Sequence, residues 1–115
     1  GPCGIVTRGD VMPVPPAEVR AIARDALKRR KQYGRGGTSV GVARARDLAN
    51  GRNISVDVLR RMLSFFARHE GIEGSAERRR DKTSATSIAY DLWGGLPGKR
   101  WATKVLRELA DQYGG

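Results

Sequence analysis

The stretch Ser55-Val-Asp-Val-Leu-Arg-Arg-Met-Leu-Ser-Phe-Phe-Ala-Arg-His-Glu70 decides the fold. Val58, Leu59, Met62, Leu63, Phe65 and Phe66 recur at helical spacing and build one wide apolar face, while Arg60, Arg61 and Arg68 lie elsewhere. Ser55 is a residue type that caps helices, and Asp57 places negative charge in the first turn, where the helix dipole favours it. A face this wide is stable only when other elements cover it, so the segment is expected at the centre of the core.

The flanking sequence supplies more helices and no strand pattern. Upstream, Val19, Ile22, Ala23, Ala26 and Leu27 mark a helix over 16–33, opened by Pro16 and stopped by Gly34, with Lys28 to Lys31 in its last turn. A second helix runs from a Thr38 or Ser39 cap through Asn50, with Gly51 as terminator and mostly small apolar residues. Downstream, residues 71–86 lack any period and predict a flexible loop of a length that is often functional. A fourth helix is expected from Ser84 or Ser87 to Trp93. Leu96-Pro97-Gly98 reads as a turn, and a fifth helix carries Trp101, Ala102, Val105, Leu106 and Leu109 to about Tyr113. The expected fold is all-α: a compact bundle of four to five short helices with a helix-turn-helix-like central pair. Residues 1–15 form an irregular lead-in and 16–113 one basic domain. Gly1-Pro2 reads as a remnant of tag removal, which makes Cys3 a flanking residue, and Met12 as either a start or an internal residue.

Charge is the strongest compositional signal. Lys and Arg total 22 against 12 Asp and Glu, a net charge of +10 carried mainly by arginine. Solubility alone seldom needs a charge beyond about 8 in a small domain, and a guanidinium meets a phosphate through two parallel donors. Four arrangements could use that charge. The pair of helices over Val42–His69 resembles a helix-turn-helix, whose second helix would offer Asn53, Ser55, Asp57, Arg60 and Arg61, with Arg44, Arg46 and Arg52 beside them. The turn is longer than usual, and a plain helical hairpin with arginines in water fits as well. Arg35-Gly36-Gly37-Thr38 opens onto a helix N-terminus, where Arg35 and Thr38 could hold a phosphate; an ordinary capped loop is the alternative. Arg78-Arg79-Arg80 with Lys82 could follow a phosphate backbone, or simply lie in solvent. Tyr90, Trp93 and Trp101 flank Lys99 and Arg100, a pattern that can stack bases, although aromatic residues at helical spacing more commonly build a core.

Catalysis has little to draw on. Cys3 is the only cysteine and His69 the only histidine, which excludes an intramolecular disulfide, a cysteine-based zinc site and a two-histidine mechanism, and fits a reducing compartment. His69 next to Glu70 could pair as acid and base, but the end of an apolar helix is a common place for a packed histidine. No apolar run is long enough for a membrane span. No enzyme activity, metal or cofactor is expected.

Three stretches together resemble a small basic helical domain that recurs in bacteriophage-encoded proteins, sometimes within larger head or replication proteins. They are Tyr33-Gly-Arg-Gly-Gly-Thr-Ser-Val-Gly-Val-Ala-Arg-Ala-Arg-Asp-Leu-Ala-Asn-Gly51, Arg61-Met-Leu-Ser-Phe-Phe-Ala-Arg-His-Glu70 and Ala89-Tyr-Asp-Leu-Trp-Gly-Gly-Leu-Pro-Gly-Lys-Arg-Trp-Ala102. The resemblance spans about residues 17–107 and implies a phage or prophage origin, with a host-cytoplasmic or virion-associated setting. It carries no established activity and assigns no residue a role. The expectation from the residues is a nucleic-acid-binding module, DNA before RNA. The alternative is an interaction or assembly domain of a larger phage protein, with the turn at 93–101 meeting its partner.

Overall fold

The computed structural model describes residues 13–113; the readings on Gly1, Pro2, Cys3 and Met12 fall outside them. The order is α1 (Ala17–Tyr33), α2 (Ser39–Ala49), α3 (Val56–Glu70), α4 (Ser75–Arg78), α5 (Ala85–Leu92) and α6 (Gly95–Tyr113), with no strand among the described residues. The chain is an all-helical bundle, as the sequence predicts.

Small residues set the closest contact. Helices α1 and α2 form the most extensive pair among the described elements, with Ala23 and Ala26 of α1 and Ala45 and Leu48 of α2 buried. Val19 lies against Gly94, and Gly41 against Trp93 and Leu92. Gly34 ends α1 in a left-handed conformation, with its N–H donating to the Arg30 carbonyl at 2.8 Å. Thr38 caps α2 by accepting from the Gly41 N–H at 3.3 Å. Ser55 caps α3 by accepting from Val58 at 3.2 Å, and Ser84 caps α5 by accepting from Ser87 at 3.0 Å.

The enclosed element is α5. Ser87, Ile88, Tyr90, Asp91 and Leu92 are all buried, and the helix packs against α1, α2 and α6. Helix α3, expected at the centre, instead buries Leu59, Met62 and Phe66 on one side and leaves its arginine face to solvent. The physical reason is charge. The eight residues of α5 include a single charged one, so it can be surrounded, whereas Arg60, Arg61 and Arg68 keep one face of α3 in water.

Three further expectations need correction. Helices α2 and α3 follow one another through a turn but do not pack as a hairpin: α2 rests on α1 and α5, and α3 on α6 and α4. The helix-turn-helix character is therefore one of chain order. The last helix begins at Gly95, six residues before Trp101. Pro97 sits in its first turn, where its missing N–H has no partner to lose, and the Gly98 N–H donates to the Gly94 carbonyl at 3.0 Å. Residues 71–86, expected as a flexible loop, form α4, a succession of hydrogen-bonded turns, including Asp81 N–H to Arg78 O and Ser84 N–H to Asp81 O, and the start of α5. Turns of this kind leave no apolar period to read.

Candidate nucleic-acid interface

On the sequence, the glycine-rich loop either leaves room for an anion or is an ordinary capped loop. Its glycines leave room for the core instead. Gly36 and Gly37 have φ of 104° and 74°, and a Cβ on them would come within 2.5 Å of Ile88 and Leu92 of α5, respectively. Arg35 turns away to donate to the Thr83 carbonyl at 2.9 Å, and the Thr38 hydroxyl oxygen is engaged by the Gly41 N–H. What remains for a ligand is the first turn of α2, with the positive end of the helix dipole.

That turn forms one wall of a groove of about 570 Å³. Gly37, Thr38 and Val40 stand on the α2 side, Arg61, Ser64, Phe65 and Arg68 on the α3 side, and Ala89 and Trp93 form the floor. Arg61 and Arg68 are seven residues apart, two turns of helix, so both lie on the same flank of α3. Both are exposed, and neither makes an ion pair or hydrogen bond with the described chain. No carboxylate lines the groove. It is a concave, largely apolar surface edged by two unpaired guanidinium groups.

Its floor is rigid. Trp93 stacks on Phe65 at 4.8 Å between ring centroids and is 9% exposed, and Arg44 stands over its ring at 5.7 Å. Arg44 also donates to Asp47 at 3.3 Å, and its Nε is buried without a hydrogen-bond partner. Tyr90 is buried with its hydroxyl donating to Glu70 at 2.7 Å, and Trp101 is half-buried. Of the two readings the sequence offers for Tyr90 and Trp93, the structure fits the core reading that the sequence favours, and base stacking on Trp93 has little free surface to use.

The other expected contacts divide into engaged and free. Lys99 pairs with Glu70 at 2.7 Å. Arg79 lies over the Tyr90 ring at 4.2 Å and donates to the Ser75 carbonyl at 3.3 Å, and Arg78 donates to Thr86 at 3.2 Å. Arg52 is held loosely near Asp47 at 3.9 Å, and Ser55 is spent as a cap. Arg46, Asn53, Arg60, Arg80 and Arg100 are exposed with no partner among the described residues. Of the expected residues, the groove gathers only Thr38 and Arg61. Arg68 is added by the structure, and its signal in the sequence is the seven-residue spacing from Arg61.

His69 is also accounted for by packing. Its Nδ1 lies 3.3 Å from the Ser75 hydroxyl, and its ring contacts Phe65 and Tyr90. Burial, reinforced by the Arg79 and Arg78 charges, holds its pKa below 6.5, against the opposing pull of Glu70. Glu70 is occupied by Lys99 and Tyr90; burial opposes its charged form, but those hydrogen bonds outweigh it and lower its pKa. Burial and the Glu70 carboxylate push the Tyr90 phenol up to about 12. Ser75 is 1% exposed, so the serine beside His69 cannot reach a substrate. Among the described residues, no group of three or more His, Cys, Asp and Glu is arranged to hold a metal ion, and no helix is long and apolar enough to cross a membrane. No protein-family model, curated protein or solved structure matches the chain.

Proposed function

We propose that this protein is a nucleic-acid-binding module, without chemistry of its own, that holds the phosphate backbone of DNA in the groove between α2 and α3. One observation carries the reading: Arg61 and Arg68 flank the N-terminal turn of α2 in a groove that holds no carboxylate and leaves both guanidinium groups unpaired. A phosphate there meets planar donors from one side and the positive end of a helix dipole from the other. The net charge of +10 supplies attraction at longer range. Stacking of Trp93 on Phe65 favours backbone contacts over unpaired bases, and hence a duplex over a single strand. The phage or prophage setting is what the resemblance carried by residues 33–51, 61–70 and 89–102 implies.

The test is fluorescence anisotropy with duplex and single-stranded oligonucleotides at several salt concentrations. Duplex affinity is expected to fall steeply as salt rises. No binding at low salt, or an affinity indifferent to salt, overturns the reading.

A further inference from the structure

The outward face of α6 has no place in the groove. Arg100, Lys104 and Arg107 follow one another at intervals of four and three residues, so they form one row along the helix. The row lies opposite the side that carries buried Ala102 and half-buried Val105 and Leu106. All three cations are exposed, and none makes an ion pair or hydrogen bond with the described chain. With Leu96, Lys99 and Thr103 they border a shallow depression of about 370 Å³ that contains no carboxylate. Glu18 borders Arg100 and Lys104 in a neighbouring depression, and Glu108 and Asp111 follow Lys104 and Arg107 at four-residue spacing. None of these carboxylates closes an ion pair with the row, which keeps its three cations available to a ligand.

The row and the groove lie on different sides of α3. Phe65 marks the groove flank of α3. Glu70, about 140° further round the helix by its five-residue spacing, holds Lys99 of α6 at 2.7 Å. Phe66 lies under Gly98, so α6 runs back along the flank of α3 turned from the groove.

We propose that the Arg100–Lys104–Arg107 face is a second phosphate-binding surface, which takes the backbone of a second nucleic-acid segment so that one molecule joins two. This rests on the groove binding the first. An extended row of cations suits a linear polyanion. An anionic membrane surface is the less suitable partner, because an interfacial helix needs an apolar face to insert and that of α6 is spent in the core, with Leu96 the one exposed apolar residue along the row.

The experiment mixes two sets of duplexes of about one helical turn, roughly 10 base pairs, one carrying a donor fluorophore and one an acceptor. The wild-type protein is expected to bring them together, giving energy transfer that rises with protein and falls again when protein is in excess. The variant Arg100→Gln/Lys104→Gln/Arg107→Gln is expected to lose the transfer while binding a single duplex within about twofold of wild type, as independent sites should. The charge-preserving variant Arg100→Lys/Arg107→Lys is expected to retain it. Circular dichroism checks that each variant is folded, and all the changed side chains are exposed. Three results overturn the proposal: saturated duplex binding by wild type without energy transfer, transfer undiminished in the triple variant, or equal loss of transfer and single-duplex affinity. The first and second leave the groove reading standing, so the two failures are told apart. Preferential capture of anionic vesicles through this face, with no second duplex held, also overturns it.

Discussion

Neutralising the groove, in the variant Arg61→Gln/Arg68→Gln, should change how binding responds to salt more than it changes the protein. Neither arginine has a partner in the described chain and both are exposed, so stability should shift by no more than about 0.5 kcal/mol. Each phosphate that a cation neutralises on duplex DNA adds about 0.9 to the slope of log K against log salt concentration. With two phosphates no longer neutralised, the slope should flatten by about 1.8, and over a fourfold rise in salt that is a roughly twelvefold difference in how far affinity falls. The N-terminal turn of α2 remains in the variant, with its partial positive charge, so residual binding is expected. Anisotropy titrations at about 50, 100 and 200 mM salt read the slope directly. A double variant with the wild-type slope would refute the reasoning, since the groove arginines would then touch no phosphate.

Three further outcomes follow from the packing. Gly36→Ala drives a Cβ to within 2.5 Å of Ile88 at a φ of 104°, so it should destabilise the protein by about 2 kcal/mol or more, measured by denaturant unfolding. Asp91→Ala removes the carboxylate that Arg29 meets at 2.5 Å, where each side chain is 12% exposed. The expected loss is about 3 kcal/mol, at the low end for a buried pair because Asp25 still shares the Arg29 charge; a loss below the error of the unfolding measurement would contradict the assignment. His69 has a folded pKa below its ordinary 6.5, so between those values the unfolded chain binds more protons. Its contribution to stability is therefore full above pH 6.5 and lost as pH falls through the folded value. Unfolding curves across that window should show this slope in wild type and lose it in His69→Gln.

The helices are legible in the sequence because their signals are local. Val58, Leu59, Met62 and Phe66 announce a buried stripe, and Ser55, Thr38 and Gly34 act as the caps and stop that their chemistry suggests. Which helix is enclosed is less legible, since it depends on competition between faces: α5 is short and easily overlooked beside the longer apolar run of α3. The α6 start is obscured because Pro97 looks like a break unless it is known to sit in a first turn. The binding groove is only half legible. Arg61 and Thr38 are visible as candidates, but an arginine's freedom is a tertiary property. Lys99 looks like Arg61 in the sequence, and only the fold gives it Glu70 as a partner, whereas the Arg44–Asp47 pair lies three residues apart on one helix and its spacing is visible beforehand. The Gly36-Gly37 pair reads as room for a ligand because nothing local reveals Ile88 and Leu92 waiting on the other side.

The most direct test of the groove is an NMR titration of isotope-labelled protein with one equivalent of a short DNA duplex at low salt. The largest shifts are expected at the amides of Gly37 to Val40, at Arg61 to Arg68 and at the Trp93 indole N–H, and they should fade as salt is raised. Shifts centred instead on Arg78 to Arg80, or no shifts at all, would contradict the account.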